Sequence, residues 1–271
     1  MKKKSVCIFM NGLRGLKIYK KLKNKFNIKK IILSKKFLNE NVEKYLKQKK
    51  IDYIKVSKIN TPKIASLIKS IDIPIICGFP YIFNQTTIDL SKHGIINCHA
   101  GSLPNYKGGS PLNWQIINGE KKIGISIIKI SKKIDSGQIL AKYFFKNKLK
   151  YDINKVHEIA NKAFCKIILI AIQNLLYKKT IKPNKKLKSK YWKQRSYKDS
   201  LIIPENFTID QIKNFVRALQ KPYPYVHFYK NKKIYEIRKI IKSYKKTTNI
   251  NYNKKNLKNL LICKDGIIEF K

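Results

Sequence analysis

Apolar and polar positions alternate between two periods along the first third of the chain. Val6–Met10 is a short apolar run, and Lys17–Phe26 repeats apolar residues at helical spacing. The same pair recurs as Lys30–Leu33 with Asn39–Lys49, and as Tyr53–Val56 with Pro62–Ile71. Strands separated by helices in this way predict βαβ units and a parallel sheet. Gly12 and Gly15 lie in the Asn11–Leu16 turn between the first strand and helix, but do not match G-x-G-x-x-G. They predict a tight strand-to-helix connection and no dinucleotide site. Ile71–Phe83 reads as a buried strand closed by a loop, and Ile95–His99 and Ile123–Ile130 as further strands. Asp152–Leu176 predicts a long helix with an apolar stripe through Val156, Ala160, Ala163, Phe164, Ile167 and Ala171. The Lys- and Asn-rich stretch Tyr177–Asp199 lacks periodicity, and after it come a helix over Ile209–Leu219 and alternating strands ending at Asp265-Gly266.

These patterns imply a larger α/β domain over 1–185, a linker over 186–199 and a small β domain over 200–271. A chain of 271 residues is long enough to bury a core in such a pair. Its charge is extreme, with 61 basic against 15 acidic residues and a net of +46. A polyanion partner is one explanation. Only Arg14, Arg195, Arg217 and Arg238 are arginines, however, and Ile and Asn are abundant too. Lys, Ile and Asn are the residues that an AT-rich coding sequence over-supplies, and the lysines are scattered rather than gathered into a stripe. Compositional drift is therefore the stronger explanation.

Five cysteines without C-x-x-C spacing argue for reduced thiols and a cytoplasmic setting, and four histidines lack metal-ligand spacing, so no metal is expected. The Lys-rich start lacks the apolar length of a signal peptide, and the apolar stretch Ile167–Leu176 is too short to span a bilayer, so no membrane association is expected.

Candidate chemistry gathers between Asn97 and Asp135. In the strand Ile95–His99 side chains alternate faces, so Asn97 and His99 point one way and Cys98 the other. Taken alone, an Asn at a strand end is a turn former and a lone His a satisfied imidazole. The context is more specific: Ser102-Leu103-Pro104, Tyr106-Lys107-Gly108, Pro111-Leu112-Asn113-Trp114 and Asn118-Gly119-Glu120 follow in order, and then Asp135-Ser136-Gly137.

That order resembles the formyltransferases that use 10-formyltetrahydrofolate, the family of methionyl-tRNA formyltransferase and the sugar N-formyltransferases. The resemblance implies a Rossmann-like formyltransferase domain with a mainly parallel sheet and a small C-terminal OB-like β domain. It also implies an active site of Asn97, His99 and Asp135. Arg217-Ala218 with Pro222-Tyr223-Pro224 resembles the start of the family's C-terminal domain, and Arg217 is assigned no catalytic role. The chemistry asks for the same residue types. An amine attacks the formyl carbon, an oxyanion develops, and the folate nitrogen leaves with a proton. An Asn amide aimed at the oxyanion is worth about 100- to 1,000-fold in rate. A side chain titrating near neutrality suits the proton traffic, so His99 is the candidate acid and base, with Asp135 expected to raise its pKa. Cys98 is expected to pack rather than react.

The resemblance further places the folate against Tyr81, Ile82 and Phe83 and against Ser131, Lys132, Lys133, Ile134 and Asp135. On a purely structural reading Ile82 and Phe83 are loop anchors of the core. Two positions depart from the family pattern: Lys107 stands where an Arg is usual, and Gly109 where the sugar branch has an Arg that contacts the formyl donor. Pro111–Trp114 with Asn118–Glu120 looks more like the sugar branch, particularly the enzyme acting on UDP-4-amino-4-deoxyarabinose, which would serve lipopolysaccharide or another surface glycan. A nucleotide-linked amino sugar is thus the first expectation for the acceptor. Charged initiator tRNA is the second, and a non-catalytic folate-binding relative the third. A homodimer is compatible with the sequence but not specified by it.

Overall fold

The computed structural model describes residues 3–181, 189–245 and 259–271. In chain order the elements are β1 (Ser5–Met10), α1 (Leu13–Leu22), β2 (Asn27–Ser34), α2 (Glu40–Gln48), β3 (Tyr53–Val56), α3 (Pro62–Ser70), β4 (Ile73–Cys77), α4 (Gln85–Asp89), β5 (Ile96–His99), β6 (Lys107–Gly108), α5 (Pro111–Ile117), β7 (Lys122–Lys129) and β8 (Ile139–Lys146). There follow α6 (Ile153–Leu176), β9 (Tyr191–Trp192), α7 (Ile209–Ala218), β10 (Val226–Lys230), β11 (Lys233–Ile237), β12 (Ile240–Lys245), β13 (Leu260–Cys263) and β14 (Gly266–Phe270).

Contacts divide the chain into two compact units interleaved in sequence. The first comprises Met1–Lys107, Gly124–Phe144 and Glu158–Tyr191; the second comprises Gly108–Ile123, Phe145–His157 and Trp192–Lys271. Of the expected linker, 186–188 lies outside the described residues, and 189–199 holds β9 and the start of a 3-10 turn at Tyr197–Ser200.

The first unit is built on a seven-stranded mixed sheet in the order β3-β2-β1-β4-β5-β7-β8. The expected parallel pairing holds from β3 through β5, and β7 then joins β5 antiparallel. Every residue of β4, and all of β1 after Ser5, is buried, as central strands covered on both faces require. Helix starts follow local rules: Asn39 accepts from Asn41 N–H at α2, and Thr61 accepts from Ile64 N–H with Pro62 as the first helical residue of α3.

Helix α1 starts four residues earlier than its apolar spacing predicts. A Cβ on Gly15 would stand 2.1 Å from Met10 Cβ, so Gly15 lets α1 lie directly on the end of β1. Packing there outweighs the low helix propensity of glycine.

Helix α6 forms where the apolar stripe over Asp152–Leu176 predicts it, and at 24 residues it is long and apolar enough to cross a membrane by length and composition. One face is sealed within the fold: Val156, Ala160, Phe164, Ile168, Ala171 and Ile172 are inaccessible or nearly so. Lys155, Glu158, Lys162 and Lys166 occupy other positions around it. This is the pattern of a core helix.

In the second unit α5 and α7 pack together, and the Asn113 amide donates to the Ala218 carbonyl at 2.8 Å. The Trp114 indole donates to the Lys193 carbonyl, and Arg217 donates to Asn214, Asn147 and the Tyr151 carbonyl. The Pro-Leu-Asn-Trp and Arg-Ala motifs thus do structural work here. Gly119 closes α5 with a φ of +67°, its N–H donating to Ile116 and the next N–H to Gln115. Among the described residues β10 pairs with β11, and β12-β14-β13 form a separate antiparallel sheet.

Phe9 anchors the core of the first unit, edge-on to Phe79 at 5.5 Å and to Phe83 at 5.2 Å between ring centroids. Phe9→Ala should therefore cost about 3–5 kcal/mol, read as a lower urea midpoint with an unchanged slope.

Candidate active site

Asn97 and His99 lie at the C-terminal end of β5 on one face, and Cys98 is buried on the other, as strand alternation predicts. Beyond β7 the chain returns through Ser131–Gly137 and brings Asp135 back to them. The His99 Nδ1 stands 3.3 Å from Asp135 Oδ2, and the Asn97 amide 3.5 Å from Asp135 Oδ1. The three predicted residues therefore converge within the first unit.

Glycines make this approach possible. A Cβ on Gly137 would fall 1.7 Å from the Lys129 carbonyl oxygen, so no other residue lets the returning strand lie so close to β7. Asp135 itself has a φ of +47°, a left-handed conformation that Asp accepts more readily than most residues. Gly101 leaves room for the imidazole, because a Cβ there would be 2.5 Å from His99 Nε2 and 2.4 Å from the Tyr106 carbonyl oxygen.

That carbonyl sits 2.6 Å from His99 Nε2. With Nε2–H donating to Tyr106, Nδ1 is the basic nitrogen and faces the carboxylate. His99 and Asp135 form a dyad able to hold one proton between them. The ring is only 6% exposed. Burial, the largest influence, pushes its pKa below the ordinary 6.5, and Arg14 adds to that. Asp135 and the Tyr106 carbonyl oppose the shift without overcoming it. The expectation that Asp135 would leave His99 with a raised pKa is thus corrected: its influence has the expected sign, but desolvation of the imidazolium is larger.

The loop presenting the Tyr106 carbonyl is braced by residues that sequence reasoning missed. Buried Ser126 on β7 donates to the Gly101 carbonyl at 2.8 Å and accepts from Leu103 N–H. Lys142 on β8 donates to the Leu103 carbonyl. Neither carries a motif; Ser126 is placed by its pairing with His99 across β5 and β7, and Lys142 lies on β8. Lys107, the replacement for a family Arg, donates to Ser136 Oγ at 2.8 Å, beside Asp135. Gly109, the other departure, is sterically required: a Cβ there would meet the Gln194 backbone at 2.4 Å.

Of the residues expected to hold folate, Phe83 is buried in the core against Phe9, Tyr81 packs edge-on to Phe79, and Ile82 is 67% exposed. The Tyr81 hydroxyl is buried without a hydrogen-bond partner among the described residues. Ser131, Lys132, Lys133 and Ile134 are all exposed, next to the nearly buried Asp135 carboxylate. No cluster able to hold a metal ion occurs among the described residues. A separate cleft lined by Lys3, Lys23, Asn27 and Asp52 lies at the start of β2 and contains none of the predicted site residues.

The formyl transferase family model matches residues 26–169, which include all three converging side chains. The chain belongs to the formyl transferase family. It is 32% identical over 201 residues to the bifunctional polymyxin resistance protein ArnA of Wigglesworthia glossinidia brevipalpis, a match covering 70% of this chain and 30% of that protein. Methionyl-tRNA formyltransferase of Clostridium beijerinckii is 32% identical over 168 residues, covering 61% of this chain and 54% of the relative. The chain thus spans between about a third and about half of these curated relatives. The N-formyltransferase of Helicobacter canadensis, solved with folinic acid and dTDP-3-aminofucose, shares the fold at a TM-score of 0.71 and 21% identity, with 100% of both chains covered.

Because the folded protein resists protonating His99, the unfolded chain binds more protons as pH falls through 6.5. The His99 contribution to stability is then present above that pH and is lost below it. Unfolding free energy should drop more steeply between about pH 7 and about pH 5 for wild type than for His99→Gln. Equal slopes in urea titrations would count against a buried neutral imidazole.

Proposed function

We propose that this formyl transferase moves the formyl group of 10-formyltetrahydrofolate onto the amine of a nucleotide-linked amino sugar. The observation that carries the chemistry is the 3.3 Å contact of His99 with Asp135, beside the Asn97 amide. The acceptor amine attacks the formyl carbon, and the Asn97 side-chain N–H stabilises the oxyanion. The His99–Asp135 dyad takes the proton released by the attacking nitrogen and returns it to N10 of the folate as the carbon–N10 bond breaks. The products are a formamide and tetrahydrofolate, with no covalent enzyme intermediate. A ring held neutral by burial suits the first, proton-accepting half of this sequence.

Tyr81, Ile82 and the segment Ser131–Asp135 are assigned to the folate. The partnerless Tyr81 hydroxyl, the apolar surface of exposed Ile82 and the basic side chains of Lys132 and Lys133 fit a flat heterocycle with an anionic tail. The reading places the reaction in the cytoplasm.

The sugar acceptor is supported by the Pro111–Glu120 pattern and by the end-to-end fold likeness to an N-formyltransferase solved with dTDP-3-aminofucose. A second reading, methionyl-tRNA formyltransferase, is favoured by the net charge of +46 and by the Clostridium beijerinckii relative. It predicts activity that falls steeply with salt, as phosphate contacts by lysine do. A small anionic sugar nucleotide, making few such contacts, predicts a shallow dependence.

Purified protein supplied with 10-formyltetrahydrofolate and a panel of nucleotide-linked amino sugars should release tetrahydrofolate, and charged initiator tRNA should not replace the sugar. The reverse preference establishes the second reading. Asn97→Ala should lower kcat about 100- to 1,000-fold and His99→Ala about 100- to 10,000-fold with the fold retained by circular dichroism. A folded His99→Ala protein with near-native turnover would remove the assignment.

A further inference from the structure

Strand β5 is four residues long and carries two of the three converging side chains, so the backbone groups at its end need partners. On one edge β7 pairs with it as far as His99↔Ser126. On the other, β4 pairs only as far as Ile76↔Asn97, and the chain then turns away at Gly78, with a φ of +64°. The Cys98 carbonyl, between Asn97 and His99, therefore lies beyond the end of that ladder. Arg14, on α1, donates to it from Nη1 at 3.1 Å.

The guanidinium is fixed on its other sides. Its Nε donates to Asn161 Oδ1 at 3.4 Å, and its central carbon lies 4.8 Å from the centre of the Phe164 ring, both residues on α6. A Cβ on Gly78 would come within 3.9 Å of Nη1, so the turn closes over it. A planar fork can donate in two directions while its face covers a ring; an ammonium on a flexible stem cannot. In a chain with only four arginines among 61 basic residues, an Arg at this point is informative.

Building on the functional reading above, we propose that Arg14 is a positioning residue for formyl transfer. Its guanidinium takes the place of the strand that β5 lacks beyond Asn97 and sets the direction of the Asn97 amide and the His99 imidazole. Its charge has a second effect, since it works with burial against protonation of His99. The charged groups acting on that ring are Asp135, from the Ser131–Gly137 segment, and Arg14, from α1.

Arg14→Lys and Arg14→Gln test this in the full chain, with folding checked by circular dichroism. Both should lower kcat about 10- to 100-fold, with KM for 10-formyltetrahydrofolate within about threefold of wild type. Nitrogen-15 NMR should show His99 titrating at higher pH in Arg14→Gln and near its wild-type pH in Arg14→Lys. The acid limb of the kcat/KM profile should move with it. A purely structural role would lower Tm and leave the titration in place.

Folded Arg14→Gln with wild-type kcat and an unmoved His99 titration overturns the proposal. So does wild-type kcat in Arg14→Lys, which keeps the test open if the Gln variant does not fold. If wild-type protein transfers no formyl group to any acceptor, the functional reading fails by itself. The Asn97 and His99 resonances then still decide the role of Arg14, and unmoved signals in Arg14→Gln count against it.

Discussion

Asp135 meets His99 because Gly137 lies against the backbone of Lys129. The separation leaves no room for a Cβ, and it fixes how the chain turns back after β7. Antiparallel pairing of β5 with β7 carries the constraint to the site: Ile96 is opposite Lys129 and His99 is opposite Ser126. The turn that follows Lys129 must pass the end of β5 to reach β8, and the left-handed backbone at Asp135 directs its carboxylate inward. Lys107 on Ser136, and Ser136 on the Ile134 carbonyl, hold the turn in place. The site depends on backbone proximity more than on any single side-chain bond.

Burial shapes the chemistry of the group so assembled. An imidazole between a carboxylate and a carbonyl would be protonated in water-like surroundings, since both neighbours favour N–H. Enclosing the ring makes the cation costly, and the nearby guanidinium adds to that cost. The balance leaves a neutral base near physiological pH with a carboxylate ready to stabilise it once it takes a proton. The proposed formyl transfer uses this arrangement to collect one proton and then return it.

The distribution of arginine in a lysine-dominated chain follows from the same physics. Arg14 bridges a carbonyl, an amide and a ring, and Arg217 bridges two Asn side chains and a carbonyl. Arg195 lies over Trp114, 4.7 Å from the ring centre, and donates to the Asp199 carbonyl. Arg238 donates from Nε and Nη2 to the exposed Glu236 carboxylate and lies 5.5 Å from the centre of the Tyr225 ring. Arg14 and Arg217 thus stand where a planar, multi-directional donor is needed.

Periodicity alone placed β1 through β3, their helices and α6, because burial on a regular element leaves a repeating trace in the residues themselves. Alternation along one strand also put Asn97 and His99 on a common face and Cys98 on the other. Helix α4, the seven residues of α5 and the 3-10 turn at Tyr197–Ser200 left no such trace, being too short to show a period. The early start of α1 was hidden because Gly15 signals a turn locally and a close contact only in three dimensions. The meeting of Asp135 with His99 and the depression of the imidazole pKa depend on residues distant in sequence. So do the bracing by Ser126 and Lys142 and the steric need for glycine at 109. Periodicity records which face of an element is covered; it does not record what covers it, and the chemistry of this site is set by what covers it.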